Sequence, residues 1–392
     1  MKQWLYSRQP SFGEDSTLTK ERLKAMKVIC NRGALLEALN VAGTVVASRT
    51  PKPSLQCVKL SALEKSLTVM ATDLEVAIRY TDHQVQIDEP GEALVPADKM
   101  RDIVRESVDD TLSIEIAGDN AVIKGSDSNF KIFTQNVAEF PPVPDFEGEP
   151  QFQIAGGLLK QLIGQTLFAA AKESSRYAFN GVLVTVKGKK ISMVATDGRR
   201  LAMAKGDLIS DNTGKDGVHA IVPAKALTLI DKLVDDPEEA VGFQIKENQI
   251  LVHTSSATLT SSLVEGQFPP YEDVIPKDCD KKMISSTADF LAKIRLASLL
   301  TTEESKGVRL TFTKKGLVLS SRSPESGEAT VNFPCKYEGT DVEVGFNPTF
   351  LIEALRVVDS DEIALELTAA NRPGLLKGGP NFLYVIMPVN LQ

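Results

Sequence analysis

LVPADKMRDIVRES at 94–107, IVPAKALTLIDKLV at 221–234 and GFNPTFLIEALRVV at 345–358 share one pattern. Each is an apolar strand end, a proline, and a stretch whose apolar residues recur every three or four positions, which predicts an amphipathic helix. Pro96, Pro223 and Pro348 stand near the predicted first turn, where proline is favoured, and are 127 and 125 residues apart. The chain therefore repeats itself with a period near 125 residues.

Two further repeats keep this register. The segments 34–63, 158–186 and 290–313 each read as an amphipathic helix followed by an alternating strand. VMATDLEVAIR at 69–79 also matches MVATDGRRLAM at 193–203, with Asp73 and Asp197 in equivalent positions. A period of this length far exceeds a solenoid repeat and indicates three copies of one whole domain.

Each copy contains two helices and many alternating strands, so we predict an α+β fold: three tandem domains with two helices on antiparallel sheets. Proline- and acid-rich stretches at 140–150 and 268–281 separate the copies. The predicted domains are 26–148, 149–276 and 277–392. Residues 1–25 lack an apolar stretch and are expected to form a polar, disordered extension.

Composition narrows the possible functions. The 392 residues carry a net charge of −8, are 42% hydrophobic, and contain no run that could span a membrane, so a cytoplasmic protein is expected. The four cysteines and three histidines are scattered without metal-ligand spacing, so we expect reduced thiols, no metal and no cofactor. A negative total does not exclude nucleic-acid binding, because one face can still be basic.

An enzyme is the first alternative, with Asp73 and Asp197 as acid, base or metal ligand. These aspartates occupy equivalent places in different domains, whereas catalytic carboxylates usually work as a close pair, so a turn or cap role is favoured. No phosphate-binding loop, nucleophile elbow or zinc-protease motif occurs. The second alternative is a repeat scaffold that binds no DNA. This alternative would be excluded if two copies of the chain formed a closed dimer around a basic central hole.

Several motifs resemble the β clamp family of bacterial DNA polymerase III over nearly the whole range 26–392. They are ATDGRRLA at 195–202, RYAFNG at 176–181, EGQFPPYEDVIP at 265–276, KGVRL at 306–310, GFNPTFL at 345–351 and the terminal YVIMPVNLQ. The resemblance implies a non-catalytic processivity factor in which two subunits close head to tail into a ring around duplex DNA. It also implies partners: a clamp loader, the polymerase III alpha subunit, and other polymerases and repair proteins.

The resemblance further implies a pocket between the second and third domains that binds a short partner peptide containing Gln and Leu or Phe. The matching residues are Phe179, Thr196, Gly198, Arg200, Leu201, Pro269, Val274, Asn347, Phe350, Val385, Met387, Pro388 and Val389. Three departures could change peptide preference: Arg199 in place of a common His, Ser305 in place of an aromatic, and the ending Asn390–Gln392.

For DNA, the family positions that match are Arg49, Arg176 and Tyr177, while Ala178 replaces a further aromatic. For the subunit interface they are Phe130 and Ile132 in the first domain and Leu299 and Leu300 in the third. The predicted helices could also present basic residues to the hole. They are Lys99, Arg101, Arg105, Lys160, Lys172, Lys225, Lys232, Lys293, Arg295 and Arg356.

Overall fold

The computed structural model describes residues 26–47, 49–172, 177–302 and 307–390. The predicted extension 1–25 lies outside these residues. Two compact units are present, one made of 26–145 with 256–259 and the other of 146–255 with 260–390. The first unit contains the first repeat, and the second unit contains most of the second repeat and all of the third.

The first repeat has two helices and nine strands. The helices are α1 Arg32–Gly43 and α2 Ala97–Glu106. The strands are β1 Met26–Asn31, β2 Cys57–Leu63, β3 Ser66–Thr72, β4 Val76–Asp82, β5 Val85–Glu89, β6 Gly91–Pro96, β7 Thr111–Ala117, β8 Asn120–Lys124 and β9 Asn129–Phe133. They form an antiparallel sheet in the order β5-β1-β7-β8-β9 and an antiparallel run β4-β3-β2-β6.

The second repeat has the same plan. Its helices are α3 Gly156–Thr166 and α4 Ala224–Leu233. Its strands are β10 Phe152–Ala155, β11 Gly181–Lys187, β12 Lys190–Thr196, β13 Arg200–Asp207, β14 Ser210–Asp211, β15 Val218–Pro223, β16 Ala240–Lys246, β17 Gln249–His253 and β18 Ala257–Ser262. Strands β14, β10, β16 and β17 are neighbours in that order.

The third repeat completes the series. Its helices are α5 Thr287–Ala297 and α6 Pro348–Arg356. Its strands are β19 Lys281–Ser286, β20 Val308–Thr313, β21 Gly316–Ser323, β22 Gly327–Phe333, β23 Lys336–Glu338, β24 Val342–Phe346, β25 Glu362–Leu367, β26 Gly374–Lys377 and β27 Phe382–Ile386. The predicted α+β architecture of three tandem domains is confirmed, and the two helices of each repeat pack against each other.

The helices form where the sequence supplies an apolar stripe, and α1, α5 and α6 also have a side-chain cap. In α1 the buried residues Leu35, Ala38, Leu39 and Ala42 follow the three- and four-residue spacing, and the Asn31 side chain accepts a hydrogen bond from the Ala34 amide at 3.0 Å. Pro96 and Pro223 are the residues just before α2 and α4, and Pro348 is the first residue of α6.

One sheet joins the second and third repeats. Its order is β15-β11-β12-β13-β27-β26-β25-β19-β23, and the chain's last strand, β27, pairs with β13 of the second repeat. Leu201 pairs with Val385 and Ala202 with Tyr384 in this junction. The two repeats of the second unit therefore share continuous main-chain hydrogen bonding.

The cysteines are free thiols, as the sequence predicts. Cys30 and Cys57 are buried, while Cys279 and Cys335 are half-buried. Burial, with a smaller contribution from Asp82, raises the pKa of the Cys30 thiol to about 12, and burial raises the pKa of Cys57 to about 11. Both thiols are therefore protonated at neutral pH.

The tight turns reveal where the repeats have diverged. Among the described residues, only two non-glycine residues have positive φ, Glu64 at 54° and Leu74 at 82°. Each aligns with a glycine 124 positions later, Gly188 at 56° and Gly198 at 85°. In the first domain, Glu64 and Leu74 thus keep a left-handed backbone conformation, which costs a non-glycine residue about 1–2 kcal/mol.

Leu74→Gly should therefore leave the first domain as stable as the wild type or more stable by up to about 1 kcal/mol. The side chain is 55% exposed, so little apolar burial is lost. Leu63→Gly is the matched control, because Leu63 is 50% exposed and has an ordinary φ at the end of β2. Urea denaturation should show the control losing about 0.5–1 kcal/mol. Equal losses in both variants would contradict the strain at Leu74.

Candidate functional site

The hairpin between β12 and β13 is built by Thr196 and Asp197. The Thr196 hydroxyl donates to the Arg200 carbonyl at 2.7 Å and accepts from the Gly198 amide at 3.1 Å. Asp197 Oδ1 accepts from the amides of Arg199 and Arg200 at 2.9 and 3.1 Å. This is the short side-chain-to-backbone turn that Thr and Asp favour.

Thr72 and Asp73 make the same turn in the first domain. Asp73 Oδ1 accepts from the amides of Glu75 and Val76 at 3.0 and 2.8 Å. The predicted turn role of the two aspartates is thus confirmed. No group of three potential metal-ligating side chains occurs in the parts of the chain that the structure describes.

Arg200 fixes this hairpin to the third repeat. The residue is only 6% exposed; its guanidinium donates to Asp197 Oδ2 at 3.0 Å and to the Phe168 carbonyl at 2.8 Å, and also forms an ion pair with Glu353 on α6. It lies over the Phe350 ring, 4.3 Å from the centroid. Burial opposes the charged form, but the hydrogen bond to Glu353 and the nearby charges raise the pKa of Arg200 above its ordinary value.

The residues that follow β27 are hydrogen-bonded to this hairpin and to β24. Beyond β27, the Met387 amide donates to the Arg199 carbonyl at 2.9 Å and the Val389 amide donates to the Gly345 carbonyl at 2.8 Å. Val385 is buried, whereas Met387 is 42% exposed. An apolar, flexible side chain is thus held at the surface by main-chain bonds on either side.

An apolar cluster lies beneath this surface. Its buried members are Leu183, Val194, Leu201, Met203, Ile221, Leu375 and Val385, and Val264, Phe268, Tyr271 and Ile275 of the following segment pack against it partly buried. Of these cluster residues, only Leu201 and Val385 were predicted from the sequence to belong to the pocket. The alternation of β11, β12 and β13 and the FPPYEDVIP motif were the signals for the others.

The predicted pocket residues all belong to the second unit and lie at different depths. Thr196, Arg200, Leu201 and Val385 are buried, and Gly198, Val274 and Met387 are exposed. The half-buried remainder comprises Phe179, Pro269, Asn347, Phe350, Pro388 and Val389. Asn347 also caps α6, since its side chain accepts from the Thr349 amide at 2.9 Å.

The residues that depart from the family pattern are only partly described. Arg199 is exposed at the surface beside Met387, and Asn390 is exposed. Ser305, Leu391 and Gln392 lie outside the described residues.

The predicted DNA contacts are described only in part. Arg49 is exposed in the loop after α1. Arg176 lies outside the described residues, and Tyr177 begins the short 3-10 helix Tyr177–Asn180. These assignments stay predictions.

Several basic residues on the helices already have partners. Lys160 donates to the carbonyls of Asp231 and Val234 at 2.9 and 3.0 Å, which caps the end of α4. Arg101 pairs with Asp98, and Arg105 pairs with Asp102 and Glu106. Lys99, Lys232, Arg295 and Arg356 are exposed.

Apolar side chains are exposed beside two sheet edges. In the first unit, Phe130 on edge strand β9 is 41% exposed and Ile132 is half-buried. In the second unit, Leu299 is 73% exposed and Leu300 half-buried, in a turn that packs against edge strand β22. Sequence reasoning missed Phe133, 78% exposed, and Leu296, 49% exposed. Unpaired edges with exposed apolar groups are typical of association surfaces.

Three α+β repeats with two helices each, a shared sheet and an apolar surface at its junction define the class of three-domain DNA clamps. Family models of the DNA polymerase III beta subunit match almost the whole described range: the N-terminal domain at 26–144, the central domain at 153–270 and the C-terminal domain at 272–390. The chain belongs to this family of beta sliding clamps, which are non-catalytic processivity factors.

Relatives and solved structures agree with this assignment. The beta sliding clamp of Pseudomonas aeruginosa is 32% identical over 369 residues, covering 93% of this chain and 100% of the relative, and that of Escherichia coli K12 is 29% identical over 372 residues with the same coverage. The crystal structure of the Pseudomonas aeruginosa clamp bound to griselimycin has a TM-score of 0.88 at 32% identity, covering 94% of this chain and 100% of that one. The Bacillus subtilis clamp has a TM-score of 0.90 at 28% identity, with the same coverage.

No helix within the described residues is long and apolar enough to cross a membrane.

Glu353→Gln should destabilise the second unit by about 1–3 kcal/mol, because it removes a charge partner from the buried Arg200 guanidinium. Glu343→Gln is the matched control: Glu343 pairs with Arg309, whose side chain is 40% exposed, and the change should cost less than about 0.5 kcal/mol. Chemical denaturation of the two variants measures the difference. If they lose the same stability, Arg200 does not anchor the junction.

Proposed function

We propose that two copies of this chain close head to tail into a ring that encircles duplex DNA and tethers polymerases to it. Membership of the sliding clamp family across all three domains is the observation that carries this proposal. The proposed partners are duplex DNA, a second copy, a clamp loader, the polymerase III alpha subunit, and other polymerases and repair proteins. The proposed domain boundaries are 26–148, 149–276 and 277–392, and the proposed location is the cytoplasm.

Enclosure explains how an acidic chain can stay on DNA. With a net charge of −8, strong attraction between the whole protein and phosphate is not available. Pairing of Arg101 and Arg105 with acids on their own helix also reduces the free positive charge of α2. A ring needs only weak contacts with phosphate, because topology prevents dissociation while weak contacts permit sliding. Arg49, Arg176 and Tyr177 are proposed to make such contacts.

The ring is proposed to close through the apolar edges. Phe130 and Ile132 beside β9 would meet Leu299 and Leu300 beside β22 of another copy. Because β9 and β22 are both at the end of their sheets, main-chain hydrogen bonds could continue from one subunit to the next. The two edges differ, so the contact is heterologous, and such contacts form rings when the rotation closes.

Partner proteins are proposed to bind at the junction of the second and third domains. Leu201 and Val385 supply a buried floor, while Val274 and Met387 are exposed and can cover an inserted Leu or Phe. The related clamp of Pseudomonas aeruginosa has been crystallised bound to griselimycin. The pocket proposed for this chain takes an extended peptide with hydrophobic anchors.

Retention on DNA of different topology tests the ring. After loading by a bacterial clamp loader with ATP, the protein should stay on nicked circles in high salt and be lost when they are linearised. An ordinary phosphate binder loses on the order of 10³-fold or more in affinity under such salt, whatever the topology. Met387→Ala is the control, since it should keep retention on circles while weakening partner-peptide binding. Equal retention on circular and linear DNA would refute encirclement.

Ring closure is tested by Leu299→Ala combined with Leu300→Ala. Each side chain contributes about 2–5 kcal/mol if it is fully buried between subunits, so the variant should be monomeric at micromolar concentration. Phe130→Ala, on the opposite surface, should have the same effect. Val108→Ala is the matched control, since Val108 is 84% exposed and lies away from both edges in sequence. Light scattering gives the mass; a dimer mass for both interface variants would reject the proposed surfaces.

A further inference from the structure

A cavity of about 320 Å³ lies beside the edge strand β15 in the second repeat. It is lined by His219 and Ile221 of β15, Glu247 and Asn248 of the turn between β16 and β17, and Val264 and Glu265 of the segment after β18. None of these residues is among those predicted for the peptide pocket. A cavity of this volume can hold an extended side chain with part of its backbone.

The outer edge of β15 borders this cavity. The backbone amide and carbonyl of Ile221 point away from β11, because this carbonyl accepts a hydrogen bond from the Val264 amide at 2.9 Å. Backbone direction alternates along a strand, so His219 presents its amide and carbonyl on the same outer side. A chain in extended conformation can hydrogen-bond to such an edge.

The cavity and the predicted peptide pocket border the same apolar cluster. Ile221 pairs with Leu183, Leu183 with Val194, and Val194 with Met203, and all four belong to the apolar cluster that includes Leu201 and Val385. Three strand spacings, about 14 Å, separate Ile221 at the cavity from Met203, which follows the pocket residue Leu201 by two positions on β13, and four or five extended residues would span this distance over the surface. One peptide can therefore occupy both places.

Charge indicates which peptide fits. The cavity lining contains two carboxylates, Glu247 and Glu265, and one histidine, His219, and no lysine or arginine. Glu247 and Glu265 are exposed, and neither forms an ion pair with any described residue. A cationic side chain at the cavity would meet two unpartnered carboxylates and the exposed strand edge together.

We propose that this cavity is a second recognition site, which binds a lysine or arginine in the extended flank of the partner peptide, four or five residues from its hydrophobic anchor. The inference rests on the proposed peptide pocket and extends it. The anchor would supply most of the affinity, and the basic flank would select among partners that share the same anchor.

Fluorescence anisotropy with a Gln-Leu-x-Leu-Phe peptide tests the inference. The core peptide is compared with versions carrying a five-residue flank at either end, with Lys, Ser or Glu at the fourth and fifth positions. One Lys flank should tighten binding roughly fivefold over the Ser flank, and the Glu flank should weaken it. In the variant Glu247→Gln combined with Glu265→Gln the gain should fall below about twofold, while affinity for the core peptide is unchanged.

Two controls separate the outcomes. Glu238→Gln changes an exposed carboxylate in the turn before β16 and should keep the full Lys gain, which excludes a general effect of charge. Met387→Ala should weaken the core peptide and all flanked versions alike. Failure of the core peptide to bind the wild-type chain would overturn the proposed function. Binding of the core peptide with no Lys gain at either end, or a gain that survives Glu247→Gln with Glu265→Gln, would overturn only this inference.

Discussion

The buried guanidinium of Arg200 is the interaction on which the junction of the second and third domains depends. It lies between Asp197 of its own hairpin and Glu353 of α6, with the Phe350 ring against its face. A buried cation without partners would be very unfavourable, so hairpin and helix must keep one spacing to satisfy it. The positions of Val385 and Met387 follow from this constraint, because β27, which contains Val385 and ends just before Met387, pairs directly with the strand that begins at Arg200.

The first domain has an apolar cluster in the corresponding place. There, Phe140, Val137 and Val143 of the following segment pack on Cys57, Met70 and Leu94. Arg79 aligns with Met203, and it ties that segment down by pairing with Asp145 and donating to the Val143 carbonyl. The second domain has an uncharged side chain at this position, and its following segment packs only partly buried on the cluster.

Charge is arranged in keeping with a protein that moves along its ligand. Lys160 is committed to capping α4, and both arginines of α2 are paired within their own helix. Only part of the basic content predicted for the helices is therefore available to phosphate. Weak, dispersed attraction fits sliding better than a continuous basic surface does, since firm phosphate contacts would hold the ring in one place.

Sequence alone determined the three-fold repeat, because apolar periodicity and the position of Pro96, Pro223 and Pro348 are local properties of the chain. It also determined the turn role of Asp73 and Asp197, because Thr-Asp turns are built from neighbouring residues. The pocket residues came from a family resemblance, and their depth was not predictable: Arg200 is buried and paired with Glu353, whereas Met387 is exposed. Phe133, Leu296 and the cavity at His219 gave no local signal. Only the tertiary structure decided these features, because exposure and shared surfaces depend on which strands pair over long separations in the chain, as β27 does with β13.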